Sequence, residues 1–145
     1  MGGTPNSIRS PRQPGNLPTD KAADPPLRVV DSITELQPVD AGCIAVSGSH
    51  GGASSARYAI AARPLMSIFN DAGVGLDRAG LVALDQLQQQ GLAACTVSHM
   101  TARIGDAGST LATGVVSHCN VLAQSHGVAA GQTCRQAVER FVVPN

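Results

Sequence analysis

A chain of 145 residues in which 43% are hydrophobic can bury the core of one ordinary domain. Its ten basic and ten acidic residues cancel and only 2% of its residues are aromatic, so we expect no nucleic-acid partner, because such binding needs a basic surface and stacking rings. No apolar run approaches the ~20 residues that span a bilayer, and the N-terminal residues lack the apolar stretch of a secretory signal. We therefore expect a cytoplasmic protein with no membrane contact.

The N-terminal segment, residues 1–27, differs in composition from the rest of the chain. It holds six of the nine prolines together with polar and charged residues, and it shows no hydrophobic period. Such a composition cannot bury enough apolar surface to offset the entropy of ordering. We predict a disordered Pro-rich arm over 1–27, followed by one domain over 28–145. The arm is either a plain tail or an extended spacer that reaches a neighbouring subunit.

The first half of the domain predicts strands that alternate with a helix. A short strand at 27–30 leads, through a helical turn or second strand and then a turn, into an apolar strand typical of a covered sheet. A glycine turn follows, and then a helix that ends before Pro64, since the residue before proline disfavours the helical conformation. The predicted segments after the first strand are the strand Cys43–Ser47, the turn Gly48–Gly52, the helix Ala53–Arg63 and the strand Leu65–Phe69.

The second half continues this alternation. The clearest predicted helix spans Leu76–Gln90, where apolar and small residues recur at helical spacing and Gly91 follows as a stop. His118 falls on the apolar stripe of a later predicted helix, which favours a core histidine. After the helix Leu76–Gln90, the sequence predicts the strand Ala93–Val97 and the helix Ser109–His126. A last helix, Thr133–Phe141, begins with a capping box.

This order of elements indicates the α/β class, with a single domain built on a mostly parallel sheet and flanking helices. In such sheets ligands bind outside the carboxyl ends of the strands. Polar residues of this chain concentrate at three predicted strand ends, at 47–50, 70–71 and 98–99. The sequence therefore predicts a functional site along that edge of the sheet.

The first of these strand ends enters a turn rich in glycine and hydroxyl groups. Glycines allow a ligand to approach the backbone closely, and the first N–H groups of the following helix have no partners inside it. Such a place suits an anion or a polarised carbonyl. We predict substrate contacts from Ser47, Ser49, Gly51 and Gly52 in the turn, and from Ser54 and Ser55 at the helix start.

Three residues at the strand ends are candidates for proton transfer, namely His50, Asp71 and His99. His50 has glycines on both sides, which favours a site role over a core role. The same three residues are the candidate ligands of a divalent metal, although no closely spaced histidine pair supports such a site. We predict no cofactor, with the divalent metal as an alternative.

Nucleophilic chemistry is a further alternative. Every histidine follows a serine, but adjacent residues of a strand point to opposite sides and no G-x-S-x-G motif occurs. The four cysteines lie in apolar patterns without a C-x-x-C pair, so we expect buried free thiols. Cys95 and Cys119 are the alternatives for a catalytic thiol, because each lies close to a Ser-His pair.

Arginines supply the candidate anchors for an anionic substrate group. A guanidinium binds a carboxylate or phosphate through two parallel hydrogen bonds. Arg57 lies on the first predicted helix, and Arg103 lies in a loop where Asp106 follows it. The alternative for Arg103 is an ion pair with Asp106 that only holds the loop. Asn70, beside Asp71, completes the set of predicted substrate contacts.

The run Gly-Gly-Ala-Ser-Ser-Ala-Arg at 51–57, with the helix and the apolar strand that follow, resembles the swivelling β/β/α domain. The resemblance covers Cys43 to Leu87. That domain occurs as the small subunit of aconitase-type dehydratases, where a Gly-Ser-Ser-Arg turn holds substrate carboxylates, and as the phosphohistidine domain of phosphotransfer enzymes. Ala56 interrupts the dehydratase motif and His50 precedes the glycines, so the resemblance implies only carboxylate contacts from Ser54, Ser55 and Arg57.

These patterns favour a small-molecule enzyme, or the small subunit of one. We expect lyase or hydrolase chemistry on a compact metabolite that carries a carboxylate or an amide. The alternative is a non-catalytic module that binds an anion or serves in assembly. Either function is compatible with a homo-oligomer or with a larger partner subunit.

Overall fold

The computed structural model describes residues 24–142, which form one α/β domain around a five-stranded sheet. The strands lie side by side in chain order, with the first four parallel and the fifth antiparallel to the fourth. Most of the predicted Pro-rich arm, residues 1–23, lies outside the described residues. The strands are β1 (Leu27–Val30), β2 (Ile44–His50), β3 (Met66–Asn70), β4 (Ala93–Val97) and β5 (Val116–Cys119).

Helices cover both faces of this sheet and confirm the predicted fold class. The helices are α1 (Ala53–Ala62), α2 (Val82–Gln89), α3 (Ala107–Thr113), α4 (Val121–Ser125) and α5 (Cys134–Glu139), with 3-10 segments at Ile33–Glu35, Pro38–Asp40 and Leu76–Leu81. Helices α1 and α2 pack on one face of the sheet, and α5 packs on the other. None of the helices within 24–142 has the length and apolarity needed to cross a membrane.

The core consists of two apolar layers, one on each side of the sheet. Neighbouring residues of β2 point to opposite layers, with Ala45 in the layer under α1 and both Ile44 and Val46 in the other. Ala56 and Ala59 of α1 are fully buried. Because their side chains are small, α1 packs closely on the sheet, which suits a chain with few aromatic residues.

The helix predicted over Leu76–Gln90 is shorter than expected, and its first part was wrongly assigned. The α-helix begins at Val82, and the preceding segment is broken by Asp77 and Arg78, whose φ angles of 54° and 58° are left-handed. Leu76, the first residue of the predicted helix, is 85% exposed. After the break, Gly80 lies against the Asp71 carbonyl group, where a Cβ would overlap the carbonyl oxygen.

The single helix predicted over Ser109–His126 is wrong. Asp106 caps α3, which ends at Gly114, and the chain then turns back as the edge strand β5. Val116 and its neighbours are β-branched or small residues, and β4 offers them a free edge to pair with. This tertiary pairing overrides the helical spacing of the apolar residues, and it places His118 on an edge strand.

Asn120 joins the parts of the molecule that meet at the end of β5. Its amide nitrogen donates to the carbonyl oxygens of Leu84 at 3.2 Å and Leu92 at 3.0 Å. Its amide oxygen accepts from Ala94 N at 3.1 Å and Ala123 N at 3.0 Å. The side chain is buried and all four of its hydrogen-bonding positions are used, so it connects α2, β4 and α4.

We expect Asn120→Asp to lower the free energy of unfolding by about 3 kcal/mol, because an oxygen would face two buried carbonyl oxygens in place of a donor. Urea denaturation followed by circular dichroism measures this change. Gln89→Glu makes the same chemical substitution on the exposed side of α2 and should shift the transition little. An equal effect from both variants would contradict this role of Asn120.

Candidate functional site

The carboxyl ends of β2, β3 and β4 meet at one edge of the sheet, as the sequence predicts. Asp71 follows β3 directly, and its backbone N–H donates to the Val97 carbonyl oxygen at the end of β4 at 2.9 Å. His99 lies two residues beyond β4. This backbone contact brings Asp71 and His99 together, whereas the sequence indicated only that they share an edge.

Asp71 and His99 form a carboxylate–imidazole pair. Asp71 Oδ1 accepts from the backbone N–H of Gly73 at 2.9 Å and of His99 at 3.0 Å. His99 Nδ1 lies 3.4 Å from the same oxygen, slightly longer than a formed hydrogen bond. The Asp71 side chain is 6% exposed and that of His99 is 45% exposed. A buried carboxylate therefore lies beside an imidazole that is open to solvent.

The environment of Asp71 keeps its carboxyl group ionised. Burial raises the pKa of the Asp71 carboxyl, but the Gly73 N–H, the Ser117 hydroxyl, the His99 N–H and the His99 ring together lower it. The net pKa lies below the ordinary value for an aspartate. A carboxylate with a lowered pKa is a weak base, so Asp71 is better suited to orienting His99 than to accepting a proton itself.

Ser117 and Thr96 belong to this site, and sequence reasoning missed both. Val97 pairs with Val116 and Thr96 pairs with His118, so Ser117 is an extra residue on β5. This bulge brings the Ser117 hydroxyl to 2.9 Å from the Thr96 hydroxyl. The signal was hidden because the segment was assigned to a helix, in which Ser117 would not have faced a strand end.

Backbone strain is concentrated in the loop that follows Asp71. Of the five non-glycine residues with left-handed φ angles within 24–142, four lie between 72 and 78. They include Ala72 at 52° and the β-branched Val74 at 70°. Strained residues of this kind cluster at functional sites, where the surrounding structure enforces them. The strain supports a functional role for this edge of the sheet.

The strand β2 continues to His50, so the predicted turn at Gly48–Gly52 is shorter than expected, and its three glycines do not present free N–H groups. Gly48, Gly51 and Gly52 donate to carbonyl oxygens of Asp31, Asn70 and His50 at 3.1, 3.0 and 2.9 Å. A Cβ on Gly48 would overlap the backbone of Gly105 and Asp106. These glycines therefore allow loops to pack on one another, and the structure assigns them a packing role that the sequence did not suggest.

The hydroxyl and amide groups predicted near this turn also have internal partners. Ser47 donates to the Ile68 carbonyl oxygen at 2.8 Å, and Ser49 Oγ accepts from Ile33 N at 2.9 Å. Asn70 is buried and donates to the Ala102 carbonyl oxygen at 3.0 Å. Each group stabilises the strand ends, and its contact with a substrate stays a prediction.

His50 lies apart from the Asp71–His99 pair. It ends β2, on the far side of β3 from β4, so two strand spacings of ~4.8 Å separate its backbone from that of β4. Its exposed ring folds back over Gly52, where Nε2 lies 2.8 Å from the position of a Cβ. His50 is accessible to solvent, but no described carboxylate orients it.

The start of α1 carries the remaining residues from the resemblance. Ser54 and Arg57 are exposed on α1, and Ser55 is buried. No side chain caps the helix at Gly52. The three residues lie on the helix that follows His50, and their contact with a carboxylate stays a prediction.

Arg103 and Asp106 form an ion pair, which was the alternative interpretation of this loop. Arg103 Nη1 lies 3.7 Å from Asp106 Oδ2. Asp106 Oδ1 also accepts from Ser109 N at 3.0 Å and so caps α3. Arg103 is 81% exposed, which leaves its guanidinium accessible to an anion from solvent.

Neither a metal site nor a reactive thiol is evident among residues 24–142. No three histidine, cysteine or acidic residues in this part of the chain come together in a way that could hold a metal ion, and this includes the set His50, Asp71 and His99. Burial raises the pKa of Cys95 well above its ordinary value and that of Cys134 to about 12. Burial also raises the pKa of Cys119, which leaves little thiolate at neutral pH.

Comparisons of the chain with protein-family models, with characterised proteins and with solved structures found no match. The resemblance to the swivelling β/β/α domain therefore stays a prediction. The site is defined by its own geometry, with the Asp71–His99 pair at its centre.

We expect Ala72→Gly to raise the free energy of unfolding by about 0.5–1 kcal/mol. Glycine removes about 1–2 kcal/mol of left-handed strain and costs about 0.5–1 kcal/mol in chain entropy. Ala72 is exposed, so the change loses no buried contact. The matched control is Ala61→Gly on the exposed side of α1, which should destabilise by about 1 kcal/mol. Urea denaturation of both variants measures the difference, and a loss of stability in both would contradict the strain at Ala72.

The lowered pKa of Asp71 predicts part of the acid sensitivity of the fold. A folded pKa below the unfolded value of about 3.9 means that the stabilisation is complete above that value and is lost as the pH falls through the folded pKa. Asp71→Asn should therefore flatten the dependence of unfolding free energy on pH below about 4. His99→Gln should keep most of this pH dependence, because the backbone N–H groups of Gly73 and residue 99 still donate to Asp71. Urea titrations at several pH values test this, and an unchanged slope in Asp71→Asn would contradict it.

Proposed function

We propose that this protein is a small-molecule enzyme, or the small subunit of one, in which His99 transfers protons and Asp71 orients it. The observation that carries the proposal is the buried Asp71 carboxylate beside the exposed His99 ring, with 3.4 Å between Oδ1 and Nδ1. The proposed substrate is a compact metabolite with a carboxylate or an amide. The proposed reaction is a lyase or hydrolase step that needs a general acid–base.

Three features of the pair support proton transfer by His99. The carboxylate beside Nδ1 favours the tautomer with a proton on Nδ1, which leaves Nε2 free to accept a proton. The backbone bonds to Asp71 fix the position of the carboxylate independently of the ring. His99 is also accessible, whereas Asp71 is not. In this proposal the Asp71 carboxylate stays fixed and the His99 imidazole transfers the proton.

Two further groups extend the proposal. His50 is a second proton-transfer candidate at the same edge, because its ring is exposed. Arg103 and Arg57, both exposed, are the proposed anchors for a substrate carboxylate. No described residue pairs with Arg57, and the 3.7 Å contact of Arg103 with Asp106 is a surface ion pair that contributes little stability. An incoming carboxylate competes well against such a pair.

The alternative function is an assembly module, and one observation favours it. Leu76, Met100 and Ile104 are 85%, 80% and 51% exposed, and all three lie in the segments that follow β3 and β4. Large apolar residues at the mouth of a polar site suit contact with another subunit. A homo-oligomer or a larger partner subunit would cover them. The cytoplasmic location inferred from the sequence likewise belongs to the proposal.

Proton transfer by His99 can be tested without knowledge of the whole reaction. Pools of small carboxylates and amides are incubated with the protein in deuterium oxide, and proton NMR follows both loss of C–H signals and appearance of cleavage products. We expect His99→Gln to slow any observed reaction by at least ~100-fold, because general acid–base catalysis contributes at least that much.

His126→Gln is the matched control, since His126 is exposed at the end of α4. It should leave the rate unchanged. A reaction that His99→Gln does not slow would overturn the role of His99. If no pool reacts but size-exclusion chromatography with light scattering shows an oligomer that Met100→Ser disrupts, the assembly module is favoured instead.

A further inference from the structure

A cavity of about 390 Å³ lies beside the free edge of β5. It opens between α2 and the segment 124–130, and its volume falls within the range of about 300–1,000 Å³ that is usual for small-molecule sites. Its lining includes Arg78, Asp85, Ser117, His118, Cys119 and Val128. None of the residues predicted from the sequence to contact substrate lines this cavity.

The cavity carries one positive and one negative side chain that do not pair with each other. Arg78 and Asp85 are both exposed, and neither forms an ion pair with another residue of 24–142. The lining as a whole therefore has no net charge from these groups, yet it offers both a guanidinium and a carboxylate. A ligand that carries only one charge would pair with one of these side chains and leave the other without a partner.

The backbone at Arg78 is strained in a way that favours this arrangement. Its φ of 58° is left-handed, as is that of Asp77 before it, and such conformations cost about 1–2 kcal/mol per residue. Because strained residues cluster at functional sites, the strain at Arg78 supports a functional role for the cavity that it lines.

The remaining lining provides polar and apolar contacts of small size. Ser117, whose hydroxyl contacts Thr96, and Val128 lie in the polar and the apolar part of this lining. His118 Nδ1 is buried without a hydrogen-bond partner among the described residues, a cost of about 1–3 kcal/mol that a purely structural position would rarely keep. This lining suits a molecule that carries two opposite charges and a short side chain.

We propose that this cavity binds a compact zwitterion, a small molecule with one carboxylate and one ammonium group, as in a free amino acid. The guanidinium of Arg78 holds the carboxylate through two hydrogen bonds, and the carboxylate of Asp85 holds the ammonium group. The Val128 wall contacts the side chain. The site does not depend on proton transfer by His99, because binding requires no reaction.

Cys119 provides a built-in reporter of occupancy. It lines the cavity and is half-buried, whereas Cys43, Cys95 and Cys134 are buried. Its Sγ contacts the Val128 carbonyl oxygen at 3.6 Å, inside the cavity wall. Iodoacetamide at mildly alkaline pH should therefore alkylate native protein at Cys119 first, and a bound ligand should slow that reaction.

The experiment measures Cys119 alkylation by intact mass spectrometry with and without millimolar glycine, L-alanine or L-serine. N-acetyl-L-alanine keeps only the carboxylate and L-alaninamide keeps only the ammonium group, so they are the single-charge comparisons. We expect at least one zwitterion to slow alkylation several-fold and both single-charge analogues to slow it little. Arg78→Gln and Asp85→Asn should each abolish the protection.

The matched controls are Arg135→Gln and Glu139→Gln, both at exposed positions of α5. Both variants should keep the protection of Cys119 by the zwitterion. Circular dichroism confirms that each variant is folded. The inference is overturned if no zwitterion protects Cys119, if protection survives either substitution in the cavity, or if N-acetyl-L-alanine protects as well as L-alanine. If a zwitterion protects Cys119 but none of the carboxylate and amide pools is converted, the cavity binds its ligand and the proposed enzymatic function fails.

Discussion

Close packing of backbone at the carboxyl end of the sheet is the constraint on which the rest of this structure depends. Gly80 lies directly against the Asp71 carbonyl group, and Gly48 lies against the backbone of Gly105 and Asp106. A side chain at either glycine would overlap backbone atoms, which cannot move aside as a flexible side chain can. The first contact folds the segment after β3 back onto its own start, and the second holds β2 against the loop after β4. The strained conformations between 72 and 78 persist because their surroundings leave no alternative.

A buried charge gives this edge its chemical character. Removing the Asp71 carboxylate from water is unfavourable, and the Gly73 and His99 N–H groups offset much of that cost. Both donors come from the backbone, so the charge stays fixed whatever the His99 ring does. An ionised carboxylate in a fixed position favours one tautomer of an adjacent imidazole, the one with its proton on Nδ1. Packing and electrostatics thus support the same proposed role.

The edge strand β5 organises the other half of the molecule. Its bulge turns Ser117 toward Thr96 at the strand ends, while Asn120 at its far end connects α2, β4 and α4 through four hydrogen bonds. The strand therefore separates two regions, the Asp71–His99 pair at its start and the cavity along its free edge. Ser117 contributes to both, since it lies beside Asp71 and lines the cavity.

The sequence by itself determined the α/β class, the first four strands, α1, the capped α5 and the edge where polar residues collect, because periodicity, caps and strand-end polarity are local signals. It failed at the start of α2, where Asp77 and Arg78 are left-handed, and at β5, where Val116 pairs with the edge of β4. Only the tertiary structure decided that Asp71 lies beside His99 and that the glycine turn packs against other loops. Register, loop contact and cavity shape depend on residues far apart in the chain, and a pattern read along one segment does not contain them.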